Sequence, residues 1–353
     1  MKFPLIKKIT KLIRRAWRIY AMPPKETLIF LDPKQLPVIS TILASSRTAL
    51  EPKQVSVDHA RELAYVSCMK GHALQEFSFA GDTLTLTNEW RFTEQCVECE
   101  FLDGLILLTT TNFKRGNNQK SHLWVFDPVT GTVVSQVDTQ GEWSKVISVD
   151  HLRHLAFVSN WHSNDISVID LSDITNLQVV QKVPCEEAPR GLVLKPDGTL
   201  IATSFYGREI FAIAKGDNGY QVTKRSGPLD PTGYSGNMRD ILLSPDTKTV
   251  FVSNLGRNMV HWHDSETLEL VGSLSTPRQP NSMRFMKTQT PIIGVSCRKD
   301  SLVFFFDAVT KKPIGVSAKT EKLPTGLTAV EGGGFIVTNF DGSSIELHKV
   351  RYH

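Results

Sequence analysis

The segment Ala156-Phe157-Val158-Ser159-Asn160 decides the fold, because six other segments along the chain resemble it. Each is a short apolar run that ends in Ser or Thr followed by one more residue. The others are Ala64-Tyr65-Val66-Ser67-Cys68, Leu108-Thr109-Thr110-Thr111-Asn112, Ile201-Ala202-Thr203-Ser204-Phe205, Val250-Phe251-Val252-Ser253-Asn254, Ile293-Gly294-Val295-Ser296-Cys297 and Phe335-Ile336-Val337-Thr338-Asn339. Their last residues lie 44, 48, 45, 49, 43 and 42 positions apart, and such a period is typical of repeat proteins.

The residues around each segment repeat as well. A polar loop follows, then a β-type run that often ends in Asp, as in Ser167-Val168-Ile169-Asp170, and then a turn. Further along, Pro196-Asp197-Gly198 marks a hairpin. One unit therefore contains four short strands and no helical periodicity. We predict an all-β fold, a seven-bladed β-propeller of four-stranded blades, rather than a two-sheet sandwich, which does not repeat its turn chemistry in this way.

The two ends of the repeat region predict how the ring closes. Residues 27–44 have the pattern of the third and fourth strands of a blade, and residues 344–350 have the pattern of a third strand. We expect the N-terminal strands to complete the last blade, because joining the chain ends removes an open sheet edge.

The Ser/Thr-Asn ending, the strand that ends in Asp and the Pro-Asp-Gly turn resemble the YVTN β-propeller repeat. The resemblance covers about residues 27–350 and implies a WD40-like propeller that binds partners, as YncE-like proteins do. Cys68, Phe205 and Cys297 depart from the Asn of the consensus. Lactonase-like propellers are a more distant resemblance. They carry Gly-Pro-Arg-His at a first strand, where this chain has Ala188-Pro189-Arg190-Gly191 and lacks the His.

The positive charge of the chain is concentrated at its N-terminus. The formal net charge is +4, but residues 1–22 contain seven Lys or Arg and no acid, which leaves −3 for the remainder. The body of the protein therefore lacks the broad basic character of a nucleic-acid binder. An odd, sparse set of 5 cysteines favours a reducing, cytoplasmic location, and no apolar run is long enough for a spanning helix.

The basic N-terminal segment predicts an amphipathic helix over residues 1–24, in front of a propeller domain over residues 25–353. Its apolar residues recur at helical spacing: Leu5, Ile6, Ile9, Leu12, Ile13, Ala16, Trp17 and Tyr20. This pattern suits association with an anionic membrane surface, docking on a partner protein, or disorder, and the sequence leaves all three open.

Cationic and aromatic residues gather in the loops that a propeller brings to one face. Four lie where first strands begin: Lys53, Lys145, Arg190 and Arg239. Six more follow second strands: Arg208, Arg257, Arg298, His162, Trp161 and Tyr206. Radial repetition predicts a ring that attracts a carboxylate, a phosphate or a nucleic-acid backbone. The alternative is that these cations are solvated or paired with nearby carboxylates.

The sequence favours a non-catalytic binding or scaffold protein, expected to be a monomer. Its cationic face would hold an anionic small molecule, nucleic acid or protein. The alternative is a lactonase-like hydrolase of an anionic sugar or organic acid, which needs a carboxylate or His with a shifted pKa in the channel. No cofactor or metal is predicted. The pair in Cys96-Val97-Glu98-Cys99 lies on a strand, where residues three apart face opposite sides, so we expect two buried thiols.

Overall fold

A computed structural model of the protein describes residues 36–112, 120–185, 188–229 and 237–352. These residues form an all-β structure. They contain no helix whose length and apolarity would let it cross a membrane. The basic segment 1–24, and residues 27–35 of the first predicted strand pair, lie outside the described residues.

Short strands account for most of the described chain. In chain order they are β1 (Val38–Arg47), β2 (Pro52–Asp58), β3 (Leu63–Cys68), β4 (Ala73–Ser78), β5 (Thr85–Arg91), β6 (Gln95–Leu102), β7 (Leu105–Thr111), β8 (Lys120–Asp127), β9 (Thr132–Glu142), β10 (Ser144–Asp150), β11 (Leu155–Asn160), β12 (Asp165–Asp170), β13 (Gln178–Pro184), β14 (Pro189–Leu194), β15 (Leu200–Ser204), β16 (Ile210–Gly216), β17 (Gly219–Arg225), β18 (Met238–Leu243), β19 (Thr249–Asn254), β20 (Met259–Asp264), β21 (Leu270–Ser275), β22 (Pro280–Phe285), β23 (Ile292–Cys297), β24 (Leu302–Asp307), β25 (Pro313–Val316), β26 (Pro324–Val330), β27 (Gly334–Asn339) and β28 (Ser344–Tyr352).

The strands form antiparallel sheets in sequence order, as in a β-propeller. Five sheets have four strands each: β2–β5, β6–β9, β10–β13, β14–β17 and β18–β21. A sixth sheet has the order β22-β23-β24-β25-β1-β28-β27-β26, in which β1 and β25 form a short parallel pairing over two residue pairs. We call a strand a first strand if it directly precedes a repeated segment in the chain. These first strands contact one another in the cycle β2-β6-β10-β14-β18-β22-β26-β2. The repeat unit predicted from the sequence is therefore a four-stranded antiparallel sheet.

The apolar core lies between neighbouring sheets. Phe157 and Val168 of one sheet belong to the same buried cluster as Leu200 and Phe211 of the next. Both faces of the inner strands are covered, which explains why the repeated segments are continuous apolar runs rather than alternating ones.

The hydroxyl that ends each repeated segment links two sheets. The residues are Ser67, Thr109, Ser159, Thr203, Ser253, Ser296 and Thr338, and all are fully buried. Each accepts a hydrogen bond of 2.8–3.2 Å from an N–H of its own first strand: that of Gln54, Glu98, Val146, Gly191, Asp240, Ser282 or Gly326. Each also donates, over 2.6–3.5 Å, to a carbonyl of the next first strand: that of Val97, Lys145, Arg190, Arg239, Asn281, Thr325 or Lys53. Only a hydroxyl both donates and accepts in so little space, which explains the Ser or Thr at this position.

These hydrogen bonds correct the sequence alignment in two copies. Thr109 makes the link in the second copy and Thr203 in the fourth. The residues that match Asn160 are then Thr110 and Ser204, rather than the predicted Asn112 and Phe205. Consecutive hydroxyl residues at both places concealed the true register.

The N-terminal strand completes the C-terminal group of strands. β1 pairs antiparallel with β28 from Val38↔Tyr352 to Arg47↔Ser344, as predicted for the second of the two N-terminal strands. A buried polar chain accompanies this pairing. The imidazole of His348 lies 3.1 Å from Ser40 Oγ through Nδ1 and 3.0 Å from Glu346 Oε2 through Nε2. The two ends of the chain are therefore joined by backbone and side-chain hydrogen bonds.

The prediction that Cys96 and Cys99 face opposite sides of their strand is wrong. Both side chains belong to one buried cluster, together with Tyr65 and Leu74. A β-bulge between Cys96 and Glu98 inserts one residue and reverses the alternation, so positions three apart share a face. Both thiols are free and buried, and burial raises the pKa of Cys99 to about 12.

Candidate functional site at the central cavity

Each first strand contains a β-bulge near its start, and the bulged residues hold most of the candidate cations. These residues are Lys53, Val97, Lys145, Arg190, Arg239, Asn281 and Thr325. A bulge breaks the alternation of a strand and gives its side chain a new direction. Four of the seven residues are Lys or Arg. Because they occupy equivalent positions of the first strands, the structure brings their positive charges together.

Glu98 is the carboxylate at the centre of this cation cluster. Its Oε1 lies 2.6 Å from Lys53 Nζ and 3.7 Å from Arg190 Nη2. All three side chains are at least nine-tenths buried. Burial alone would raise the pKa of Glu98, but the charges of Lys53 and Arg190 outweigh it, and its pKa falls below the usual value. Glu98 is therefore ionised at neutral pH.

The positive charge around Glu98 exceeds what one carboxylate balances. Lys53, Lys145, Arg190 and Arg239 act on one another electrostatically, and burial is the main cause of the lowered pKa in all four. The pKa of Lys53 falls to about 8. Arg190 Nη1 and Arg239 Nε are buried and make no hydrogen bond to a described residue. Buried guanidinium N–H groups normally have acceptors, and these two have none among the described residues.

Aromatic rings separate the cations. Lys145 Nζ lies 3.7 Å from the ring centroid of Trp143, which stacks on Trp161 at 5.4 Å. Arg190 Cζ lies 5.5 Å from Trp161, and Arg239 Cζ lies 5.9 Å from Phe205. Cation–π contacts of this kind partly replace the lost hydration of a buried charge.

A cavity of about 300 Å³ opens beside the cluster, between the first strands. Arg190, Arg239 and Glu98 line it, and so do Glu100, Asp240, Arg284 and Asn281. Burial raises the pKa of Glu100 to about 7, although the charge of Arg284 acts against that rise. Asp240 is already engaged, because its Oδ2 accepts from Arg284 Nη1 over 3.0 Å.

Five of the predicted site residues come together here. Lys53, Lys145, Arg190, Arg239 and Trp161 surround Glu98 or contact a cation that does. Arg298 interacts electrostatically with Arg190, lies 5.8 Å from the Phe340 ring, and has its pKa lowered to about 10, mainly by burial.

The other predicted residues lie around this group. His162 packs on Trp143 with centroids 4.8 Å apart, and Tyr206 packs edge-on against Phe205 at 4.9 Å. In the loops after β15 and β19, the carbonyl of Arg208 accepts from the Leu229 N–H, and the N–H of Arg257 donates to Asn254 Oδ1.

Glu98, Glu100 and Asn281 are not among the candidate binding residues that the sequence indicated. The available signal was the repeat register, because Asn281 occupies the position of Arg190 and Arg239. The structure also explains the glycine at position 191, because a Cβ there would lie 2.7 Å from the Arg239 carbonyl oxygen. The His that lactonase-like propellers carry at this position has no room in this chain.

No protein-family model matches the chain. It is similar to a curated protein named Antigen Lp49, from Leptospira interrogans, with 24% identity over 274 residues. The match covers 77% of this chain and 58% of that relative, so it spans a little more than half of the relative's length.

Proposed function

We propose that this protein is a non-catalytic binding protein, a seven-bladed β-propeller of the YVTN-repeat, YncE-like kind whose central cavity holds a small anion. The observation that carries the proposal is the cation cluster. Four buried cations surround the ionised Glu98, the nearby Asp240 already pairs with Arg284, and Arg190 and Arg239 each retain a buried N–H group with no described acceptor. A carboxylate or phosphate in the cavity would supply both the missing charge and the missing acceptors.

The blade count rests on two cyclic features. The first strands β2, β6, β10, β14, β18, β22 and β26 contact one another in a closed series. The hydroxyl links follow the same series and end with Thr338 donating to the Lys53 carbonyl. In this interpretation the eight-stranded sheet is two blades, which the short pairing of β1 with β25 connects.

Burial favours a small molecule over the nucleic acid or protein that the sequence also allowed. Lys53 and Arg190 are each 6% exposed, and Lys145 is 2% exposed. A polymer backbone needs cations that reach the surface, whereas a small anion can enter a cavity of about 300 Å³. The crowding at Gly191 likewise favours binding over the lactonase-like alternative.

Binding measurements on arginine variants test this function. Titration calorimetry with phosphate, citrate and a short oligonucleotide should show binding of a small anion, weaker at higher salt. Arg190→Gln and Arg239→Gln should each weaken it about tenfold or more, because each removes a charge-assisted contact. The matched control is Arg278→Gln, which removes a half-exposed arginine paired with Asp300. If the wild-type protein binds none of the small anions, or if both cavity variants bind like wild type, the proposal is wrong.

A further inference from the structure

The cavity continues below the cation cluster to a second carboxyl, that of Glu100. Glu98 and Glu100 lie two residues apart on β6 with no bulge between them, and both line the cavity. At about 3.4 Å per residue, Glu100 therefore lies about 7 Å further along the cavity wall. Glu100 thus lines the same cavity as Arg190 and Arg239, at a different level from the Glu98 carboxylate that they surround.

The carboxyl group of Glu100 makes no hydrogen bond or ion pair with the side chain of another residue that the structure describes, although its backbone pairs with Leu107. Against the larger effect of burial, the positive charge of Arg284 acts to lower the pKa of Glu100. The Nη1 atom of Arg284, however, already donates to Asp240 Oδ2 and, over 2.6 Å, to the Met283 carbonyl. Asp240 also accepts from the Met283 N–H over 2.8 Å, which fixes that carboxylate in place. Glu100 is thus the cavity carboxyl that remains available to a ligand.

We propose that the ligand is an ω-amino carboxylate, whose carboxylate binds Arg190 and Arg239 and whose ammonium group binds Glu100. This inference rests on the proposed function. The separation of the two levels, about 7 Å, selects molecules with several methylene groups between the charges and disfavours α-amino acids. Ammonium–carboxylate contacts in a recessed site add affinity and fix orientation.

Proton release should accompany binding. Burial raises the pKa of Glu100 to about 7, so much of it is protonated at pH 6 in the free protein. An ammonium group favours the ionised form, so binding expels a proton below pH 7 and affinity rises with pH through that range. Glu98, Asp240, Arg284 and His151 share the cavity wall.

Calorimetry on matched ligand pairs tests the inference. The probes are 4-aminobutanoate, 5-aminopentanoate and 6-aminohexanoate against butanoate, pentanoate and hexanoate, with glycine as the short case. At least one amino carboxylate should bind about tenfold tighter than its matched carboxylate, since charged hydrogen bonds commonly contribute that much. At pH 6, two buffers with different ionisation enthalpies should reveal proton release.

The variants separate this inference from the proposed function. Glu100→Gln should remove both the amine preference and the proton release while keeping carboxylate or phosphate binding, and Glu331→Gln, which changes an exposed surface carboxylate outside the cavity, should retain all of them. If the amine adds nothing in the wild-type protein, or if Glu100→Gln keeps the preference, the ω-amino carboxylate is wrong while anion binding stands. If no anion binds at all, the proposed function fails as well.

Discussion

At the scale of single residues, the cation cluster depends on Glu98. Its one carboxylate meets both Lys53 and Arg190 in a buried setting. Glu98→Gln removes the negative charge and should lower the free energy of unfolding by about 2–4 kcal/mol, because unbalanced buried charge is strongly destabilising. Chemical denaturation in a buffer without multivalent anions measures this loss.

Phosphate provides the readout that distinguishes charge from packing. It should raise the melting temperature of Glu98→Gln more than that of the wild type, because the variant has one more unbalanced cation. Glu331→Gln is the control, since Glu331 is exposed and pairs with Lys287 at the surface, where such pairs contribute about 1 kcal/mol or less. If phosphate raised the melting temperatures of Glu98→Gln and the wild type equally, the cluster would not carry an excess of positive charge.

The cations were predictable from the sequence, but their partner was not. Lys53, Lys145, Arg190 and Arg239 stand at one position of the repeat, so counting along the chain finds them. Glu98 is one residue out of that position and 45 residues from Lys53. Glu98 can pair with Lys53 and Arg190 only because β-bulges in neighbouring sheets point the three side chains toward one another. The periodicity of a strand does not specify these directions.

At the scale of strands, the buried hydroxyls test what holds neighbouring sheets together. Ser253 accepts from the Asp240 N–H over 2.9 Å and donates to the Asn281 carbonyl over 2.6 Å. Ser253→Ala leaves both groups without a partner and should lower the free energy of unfolding by about 2–4 kcal/mol. Equilibrium denaturation of the purified variant measures the change.

Two further serine variants complete that comparison. Ser253→Thr keeps the hydroxyl, which three other copies supply from Thr, and should stay within about 1 kcal/mol of wild type. Ser273→Ala changes an exposed residue of β21 in the same sheet and should be neutral. An alanine effect at Ser253 no larger than at Ser273 would show that the links contribute little.

Strand existence followed from the sequence, whereas strand register did not. The apolar runs and the turns between them indicated the repeated four-strand unit, because those signals are local. Consecutive hydroxyl residues concealed the positions of Thr109 and Thr203 in the cycle, and a β-bulge places Cys96 and Cys99 on one face. A one-residue insertion reverses the facing of every later residue in the strand, and single-sequence patterns do not mark where it occurs.

At the scale of the whole molecule, closure was predictable because it follows from a general constraint. An open sheet edge exposes unpaired backbone groups, so a ring of sheets is stable when its ends meet. The chain meets that need through β1, which pairs with β28 along its full length. The identity of a ligand has no such general constraint, since it depends on which side chains line one cavity.

Closure can be tested by removing β1. Deleting residues 1–47 should destabilise the protein severely and cause aggregation, because β28 loses its antiparallel partner and the Ser40–His348 contact is lost. Deleting residues 1–35 is the control, since it leaves β1 and all of its pairs in place. Melting temperature and light scattering of the two proteins measure the difference. If the 1–47 deletion melts like the 1–35 deletion and scatters no more light than it, β1 is dispensable, and the sheets hold together without this closure.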